Sequence, residues 1–336
     1  MNSFKNNNLD NNAGLFTLTL RLVVGWTYFS AFWRRLILEN KLTIDEAGYI
    51  GEKFNHFLPN ALGIKPLIEY LVTNPEQLHT AMVAFTVIEA IVGLFIMLGL
   101  FTRLMSIGVF GLAMGILLGS GWLGTTCLDE WQIGVLGIAT GFTLFFTGSG
   151  VFSLDNYFIR TQKSFTKKQW FLWLGSGAFT KMNLKAVVLV GSLFIFGITL
   201  FTNQYFHGGV FGKLHNKSVK PKIEITAIKH EQSLLTFDIF RVEGADVYGS
   251  FLIGIEILDK ENKVLKSWTM EQLANYPAEN IHNYYVAKIK TGAHSLVVPL
   301  GAKARISLNI KDIDIPEKSR LKLIDISGIE WQQPIK

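Results

Sequence analysis

The sequence predicts a membrane α-helical bundle of four spans plus a fifth linking span, followed by an extracytoplasmic all-β sandwich domain. Apolar runs long enough to cross a hydrocarbon core of about 30 Å recur through the first two-thirds of the chain. After Asn203 the hydrophobic period changes to two. With 49% hydrophobic and 17% charged residues among 336, the chain is too apolar for an ordinary soluble domain and too charged to be all membrane. The net charge of +6 is scattered or sits beside apolar runs, with no aromatic-interleaved basic stripe, so nucleic acid is not a partner. The single cysteine excludes an internal disulfide, and a cysteine-ligated zinc or iron–sulfur cluster within this chain alone.

Residues Met1 to Gly14 are polar and lack a compact basic region, so the apolar segment Leu15 to Trp33 is expected to stay as a spanning helix rather than be cleaved. It contains Arg21 and runs into Arg34-Arg35. From Leu36 to Gln77, Pro59, Pro66 and Pro75 break an amphipathic stretch that reads as short helices over a membrane face. Leu78 to Leu100 is the second span, with Glu89 near its middle, and Phe101-Thr102-Arg103 is a tight turn. Leu104 to Gly119 and Ile133 to Phe146 form the third and fourth. Gly111, Gly115 and Gly119 in one, and Gly137 and Gly141 in the other, have the spacing that lets helices pack closely in lipid. These elements make a membrane domain over 1–150. Residues 151–185 form an interfacial linker rich in lysine and arginine around Trp170-Phe171-Leu172-Trp173, and 186–202 is the fifth span.

From 203 to 336, alternating blocks at 222–228, 234–242, 248–258, 264–268, 284–289, 295–299, 304–310 and 321–326 predict about eight strands, with one helical turn or two from Met270 to Tyr276. The basic linker is placed in the cytoplasm, and the Ser120 to Glu130 loop, with two acids and no cation, outside. The N-terminus is then cytoplasmic, and the 34–77 loop and the sandwich are extracytoplasmic.

The chemistry-bearing stretch is Gly121 to Gly134, which holds Cys127, Asp129, Glu130 and Trp131. Arg34 and Arg35 sit at the outer end of the first span, against the charge rule that orients the rest. They either snorkel to lipid phosphates or bind a small dianion near Cys127, where they would raise its thiolate fraction. Arg21 and Glu89 come to within about 7 Å in height along their helices at 1.5 Å per residue, close enough for a long arginine to pair with the acid. Such a pair is either structural or a proton-handling carboxylate beside a quinone, with Trp131 grouped with Glu89 as the quinone and proton site.

The Gly25-Trp26 helix running into Arg34-Arg35, the Glu89 helix ending Gly99-Leu100-Phe101-Thr102-Arg103, and the loop Cys127-Leu128-Asp129-Glu130-Trp131 resemble the DoxD membrane subunit of thiosulfate:quinone oxidoreductase. From about Val187, a span leading to the turns Asp246-Val247-Tyr248-Gly249 and Pro299-Leu300-Gly301-Ala302 resembles its DoxA partner, so the two look fused. The resemblance implies oxidation of two thiosulfates to tetrathionate with two electrons passed to a membrane quinone; the expected location is the cell (inner) membrane. The sequence has no haem attachment motif, dinucleotide fingerprint or metal cluster, so no haem, flavin or metal is expected. On this reading Cys127 is the relay, Arg34 and Arg35 hold thiosulfate, and Asp129, Glu130 or Glu89 move quinone protons. A homo-oligomer or a respiratory oxidase is compatible as a partner. The alternative is a non-catalytic membrane anchor whose sandwich binds a respiratory complex.

Overall fold

The computed structural model describes residues 12–44, 46, 48–124, 129–176, 179, 183–245 and 250–335. Cys127 and the Asp246 to Gly249 turn lie outside them. The helices are α1 (Leu18–Phe32), α2 (Glu52–Phe57), α3 (Lys65–Thr73), α4 (Pro75–Leu98), α5 (Thr102–Ser120), α6 (Glu130–Thr147), α7 (Leu154–Arg160), α8 (Gln169–Leu174), α9 (Leu184–Phe206) and α10 (Met270–Ala274). Three of them, α4, α5 and α9, are long and apolar enough to cross a membrane, while α1 and α6 have 15 and 18 residues. The chain divides into two compact units. One comprises the described residues up to Ile50, His79–Gly121 and residues 129–214; the other comprises Gly51–Leu78, the Trp122 turn and His215 onward.

In the helical unit, close backbone approach sets the order of neighbours. A Cβ on Gly93 of α4 would lie 2.5 Å from the Phe29 nitrogen of α1. One on Gly141 of α6 would lie 2.8 Å from the Phe110 nitrogen of α5, and one on Gly137 would lie 2.6 Å from Ala113 Cβ. The predicted small-residue seam thus holds on α6. On α5 it does not, because Gly111 and Gly115 face open space. A four-residue spacing marks a stripe but leaves open which stripe meets a neighbour. The contacts Arg21 with Gly99, Val92 with Gly108, Leu117 with Gly134 and Phe142 with Gly191 show that successive long helices run antiparallel.

At the end where α4 turns into α5, the buried Asp155 carboxylate accepts from Phe101 N–H at 2.8 Å, Thr102 N–H at 3.0 Å, Thr102 Oγ1 at 2.9 Å and Ser176 Oγ at 3.0 Å. It satisfies N–H groups that the α5 terminus would otherwise leave bare. Arg21 ends here too, donating to the carbonyls of Ser149 and Phe152. The predicted Arg21–Glu89 pair is therefore corrected: Arg21 turns to loop carbonyls near its own helix end, an arrangement that axial rise alone could not show.

The second unit is an antiparallel sandwich. Its strands are β1 (Lys222–Glu231), β2 (Leu234–Glu243), β3 (Ser250–Leu258), β4 (Val264–Trp268), β5 (Ile281–Asn283), β6 (Lys290–Thr291), β7 (Leu296–Val298), β8 (Lys303–Asn309), β9 (Arg320–Asp325) and β10 (Glu330–Pro334). One sheet has the order β1-β2-β8-β5 and the other β10-β9-β3-β7-β6, with β4 beside β3. The alternating residues Leu235, Phe237 and Ile239 of β2 and Ala304, Ile306 and Leu308 of β8 are fully buried and meet Leu252, Ile255, Ile257, Leu321 and Leu323 of the facing sheet. The helical turn predicted from Met270 is α10. Residues 284–289 depart from the prediction and are not a strand; β10, whose sequence Glu-Trp-Gln-Gln-Pro carries no apolar alternation, was not foreseen.

Residues 284–289 are not a strand because helices of the 51–78 segment occupy their backbone. Val286 N–H donates to Val72 O at 3.2 Å, and Ala287 N–H to Asn55 Oδ1 at 3.1 Å. Asn55, fully buried, also donates to Gly301 O at 3.1 Å. Gly301, at φ +72, comes so close to the Asn55 backbone that no side chain fits there. Tyr285 donates to Glu69 at 2.8 Å, and burial together with that carboxylate holds its phenol well above the usual range, so it stays a donor. Residues 51–78, assigned from sequence to the membrane domain, thus fold with the sandwich. Asn55→Ala strands one buried N–H and one carbonyl and is expected to cost about 2 kcal/mol or more. Faster cleavage of the 51–78 segment under limited proteolysis would report that loss, and wild-type resistance would show that Asn55 contributes little.

Candidate functional site

The Glu89 side chain is 7% exposed, and its partner is Arg35, whose Nη1 lies 2.6 Å from Glu89 Oε2 and 3.0 Å from Thr86 Oγ1. Thr86 lies three residues before Glu89 on the same face of α4 and is fully buried. The chain places Arg35 there by leaving α-helical geometry. Trp33–Leu38 is a π-turn, a form that widens the helix and recurs at functional sites. Within it the two arginines part company. Arg34 is exposed and its Nε donates to Ser30 O at 3.3 Å, whereas Arg35 turns inward. The expectation that both present their guanidinium groups to one anion is thereby revised, since Arg35 is engaged on one nitrogen. Its Nε and Nη2 make no hydrogen bond among the described residues, which leaves one edge of the fork for an oxyanion or a carbonyl oxygen.

A second cluster forms where α6 begins and α9 ends. Asp129 occupies the N-cap of α6, where its own N–H donates to Gln132 Oε1 at 2.8 Å. Glu130 follows in the first turn, where an acid favours the helix dipole. Asp129 Oδ2 lies 3.6 Å from Nε2 of His207, a side chain 6% exposed, and the Trp131 ring stands 6.4 Å from that imidazole. His207 escaped the sequence reading; its signal was a lone histidine closing an apolar span behind Tyr205 and Phe206. Asp129, Glu130 and Trp131 come together as expected from adjacency. Among the described residues no contact joins Trp131 to Glu89. Cys127, the predicted relay, lies outside the described residues.

These features define a class, a helical membrane protein with an arginine–glutamate pair buried among its helices and a β-sandwich as its second unit. The chain belongs to the DoxD family: the model described as TQO small subunit DoxD matches residues 16–195, and that for TQO small subunit DoxA matches residues 206–334. It is a DoxD–DoxA fusion, and these families indicate thiosulfate:quinone oxidoreductase function. The family boundary differs from the structural one. Helices α2 and α3, from the DoxD stretch, pack in the sandwich unit, and His207, from the DoxA stretch, packs in the helical unit. Among solved structures, that titled "Structure of Iho670 Flagellar-like Filament" aligns over 45% of this chain and 97% of its own at 7% identity and a TM-score of 0.22, a likeness that carries no argument.

Proposed function

We propose that the protein oxidises thiosulfate to tetrathionate and passes the two electrons to a membrane quinone. Within this family, the observation that carries the reading furthest is the Arg35–Glu89 pair, because an ionisable pair inside a spanning bundle is costly and is expected to have a task. A quinone accepting electrons gains negative charge on oxygen. The open edge of Arg35 stabilises that charge, and Glu89, held 2.6 Å from the same guanidinium, hands protons toward it.

The sulfur chemistry is assigned to Cys127 on sequence grounds. Its thiolate adds to the quinone, and a thiosulfate then attacks the cysteine sulfur, displacing hydroquinone and leaving a Cys–S–S–SO3 adduct. A second thiosulfate attacks the sulfur next to the cysteine, so that tetrathionate departs and the thiolate returns. Two thiosulfates lose two electrons, and the quinone takes two electrons and two protons. Arg34, Asp129 and Glu130 are proposed to draw in the dianion and to relay protons at the mouth.

Purified protein given decylubiquinone and thiosulfate, sulfite or cysteine as sole donor is expected to reduce the quinone with thiosulfate alone. Equal rates with cysteine would make it a general thiol oxidase.

The proposed setting is the inner membrane, crossed several times, with the N-terminus in the cytoplasm and the sandwich in the periplasm. Lys260, exposed in the loop joining β3 to β4, provides the test. Lys260→Cys is expected to react with a membrane-impermeant maleimide in intact cells, above the background of a Cys127→Ser parent. Labelling only after lysis would reverse the orientation.

A further inference from the structure

Beside the start of α4 the helical unit has an open pocket of about 360 Å³ lined by Asn40, Leu42, Thr43, Ile44 and His79, of which Asn40, Thr43 and Ile44 are solvent-exposed. Its loop springs from the π-turn that carries Arg35, since Lys41 N–H donates to Arg35 O at 3.0 Å and Ile50 N–H closes on Lys41 O at 2.9 Å. His79 lies on the α4 face that also bears Thr86 and Glu89, about 10 Å and 15 Å further along the helix axis at 1.5 Å per residue.

The polar groups of this cavity are sorted by type. Asn40 Oδ1, an acceptor, is already taken by Leu42 N–H at 3.1 Å. His79 Nδ1 lies 3.1 Å from Leu42 O, and because a carbonyl can only accept, this nitrogen carries the proton. Asn40 Nδ2, Thr43 Oγ1 and His79 Nε2 make no other hydrogen bond among the described residues. The hydroxyl and amide are donors, and Nε2 is a donor whenever the imidazole is charged. Leu42, 5% exposed, and Ile44 supply the apolar wall. A ligand matched to this lining is largely apolar and carries hydrogen-bond acceptors for the amide, the hydroxyl and the charged imidazole. Thiosulfate fits poorly, because the described lining offers a dianion no arginine or lysine and is largely apolar.

We propose that this cavity takes the headgroup of the membrane quinone, with His79 donating first a hydrogen bond and then a proton to one carbonyl oxygen. The inference rests on the thiosulfate:quinone reading and locates its acceptor site. His79 suits the transfer because the imidazolium can release its Nε2 proton and remain anchored to Leu42 through Nδ1–H. Each quinone receives two electrons from two thiosulfates. It takes one proton from His79 at one carbonyl oxygen and the other from the side of the Arg35–Glu89 pair, and His79 is recharged from solvent.

The test uses the full-length protein in nanodiscs, with decylubiquinone as the probe. Binding is followed by titration calorimetry and turnover by thiosulfate-dependent reduction. Ile44→Trp fills the cavity and is expected to raise both the Kd and the KM for decylubiquinone about tenfold or more, with the thiosulfate KM unchanged. Thr43→Val removes one donor without adding bulk and is expected to weaken binding about threefold to tenfold. His79→Gln keeps a donor that cannot give up its proton, so kcat is expected to fall about tenfold or more while Kd moves less than about threefold. Wild-type quinone Kd and KM in both Ile44→Trp and Thr43→Val would overturn the site even where thiosulfate turnover is robust. Cavity-dependent quinone binding without any thiosulfate turnover would leave the site standing and overturn the donor assignment instead.

Discussion

The double variant Arg35→Met, Glu89→Leu is expected to insert and fold like wild type and to lose quinone reduction by about a hundredfold or more, some 3 kcal/mol of transition-state stabilisation. A buried ion pair can be replaced by apolar groups of similar size at little cost in stability, because the desolvation penalty of both charges disappears with the charges. Removing one partner is different. Arg35→Met alone leaves Glu89 buried without its cation, and Glu89→Leu alone leaves a largely buried guanidinium with Thr86 and the Phe85 ring as its partners among the described residues. Each single variant is expected to lose about 3 kcal/mol or more of stability. Detergent melting curves and turnover on the same preparations separate the two roles. A double variant both stable and active would make the pair a structural fastening, and with it the reading of the bundle as a redox site would fail.

Cys127→Ser is expected to be the most damaging single exchange, lowering thiosulfate-dependent turnover about a thousandfold or more with little change in melting temperature. Serine is nearly the size of cysteine, but its hydroxyl is neither the nucleophile nor the leaving group that exchange at sulfur requires. Intact-mass measurement after an acid quench is expected to show a thiosulfate-derived or quinone-derived adduct on wild type and none on the serine variant. Substantial turnover by Cys127→Ser would exclude the covalent route. Direct attack of thiosulfate on a quinone held near Arg35 would then be the remaining chemistry.

The long apolar runs and the period-two blocks were readable because hydropathy and alternation are properties of single segments. Some helix borders lie outside the predicted ones, as at Leu184–Phe206, where Asn203, Gln204 and the aromatics after Phe201 continue the last turns, and others lie inside, as at Leu18–Phe32. What could not be read was which groups meet across elements. Equal spacing on α5 and α6 gave equal expectations, but Gly137 and Gly141 touch the neighbouring helix while Gly111 and Gly115 face open space. Axial rise put Arg21 within reach of Glu89 and gave no reason to expect Arg35 there. The choice fell to Arg35 because a π-turn rotates it inward, while the carbonyls of Ser149 and Phe152 claim Arg21. Residues 284–289 have the composition of a strand, but Asn55 and Val72, more than two hundred residues earlier, occupy their backbone. His207 and Asp155 were passed over for the same reason. Each is ordinary in its own segment and gains meaning only from a partner brought by the fold, Asp129 for one and the start of α5 for the other.

The most direct measurement of the account is the product balance of a single purified preparation supplied with thiosulfate and excess decylubiquinone without oxygen. Ion chromatography of the sulfur species and absorbance of the quinol are expected to give one tetrathionate and one quinol for every two thiosulfates consumed. Quinol formed without tetrathionate, or tetrathionate accumulating while the quinone stays oxidised, would contradict it.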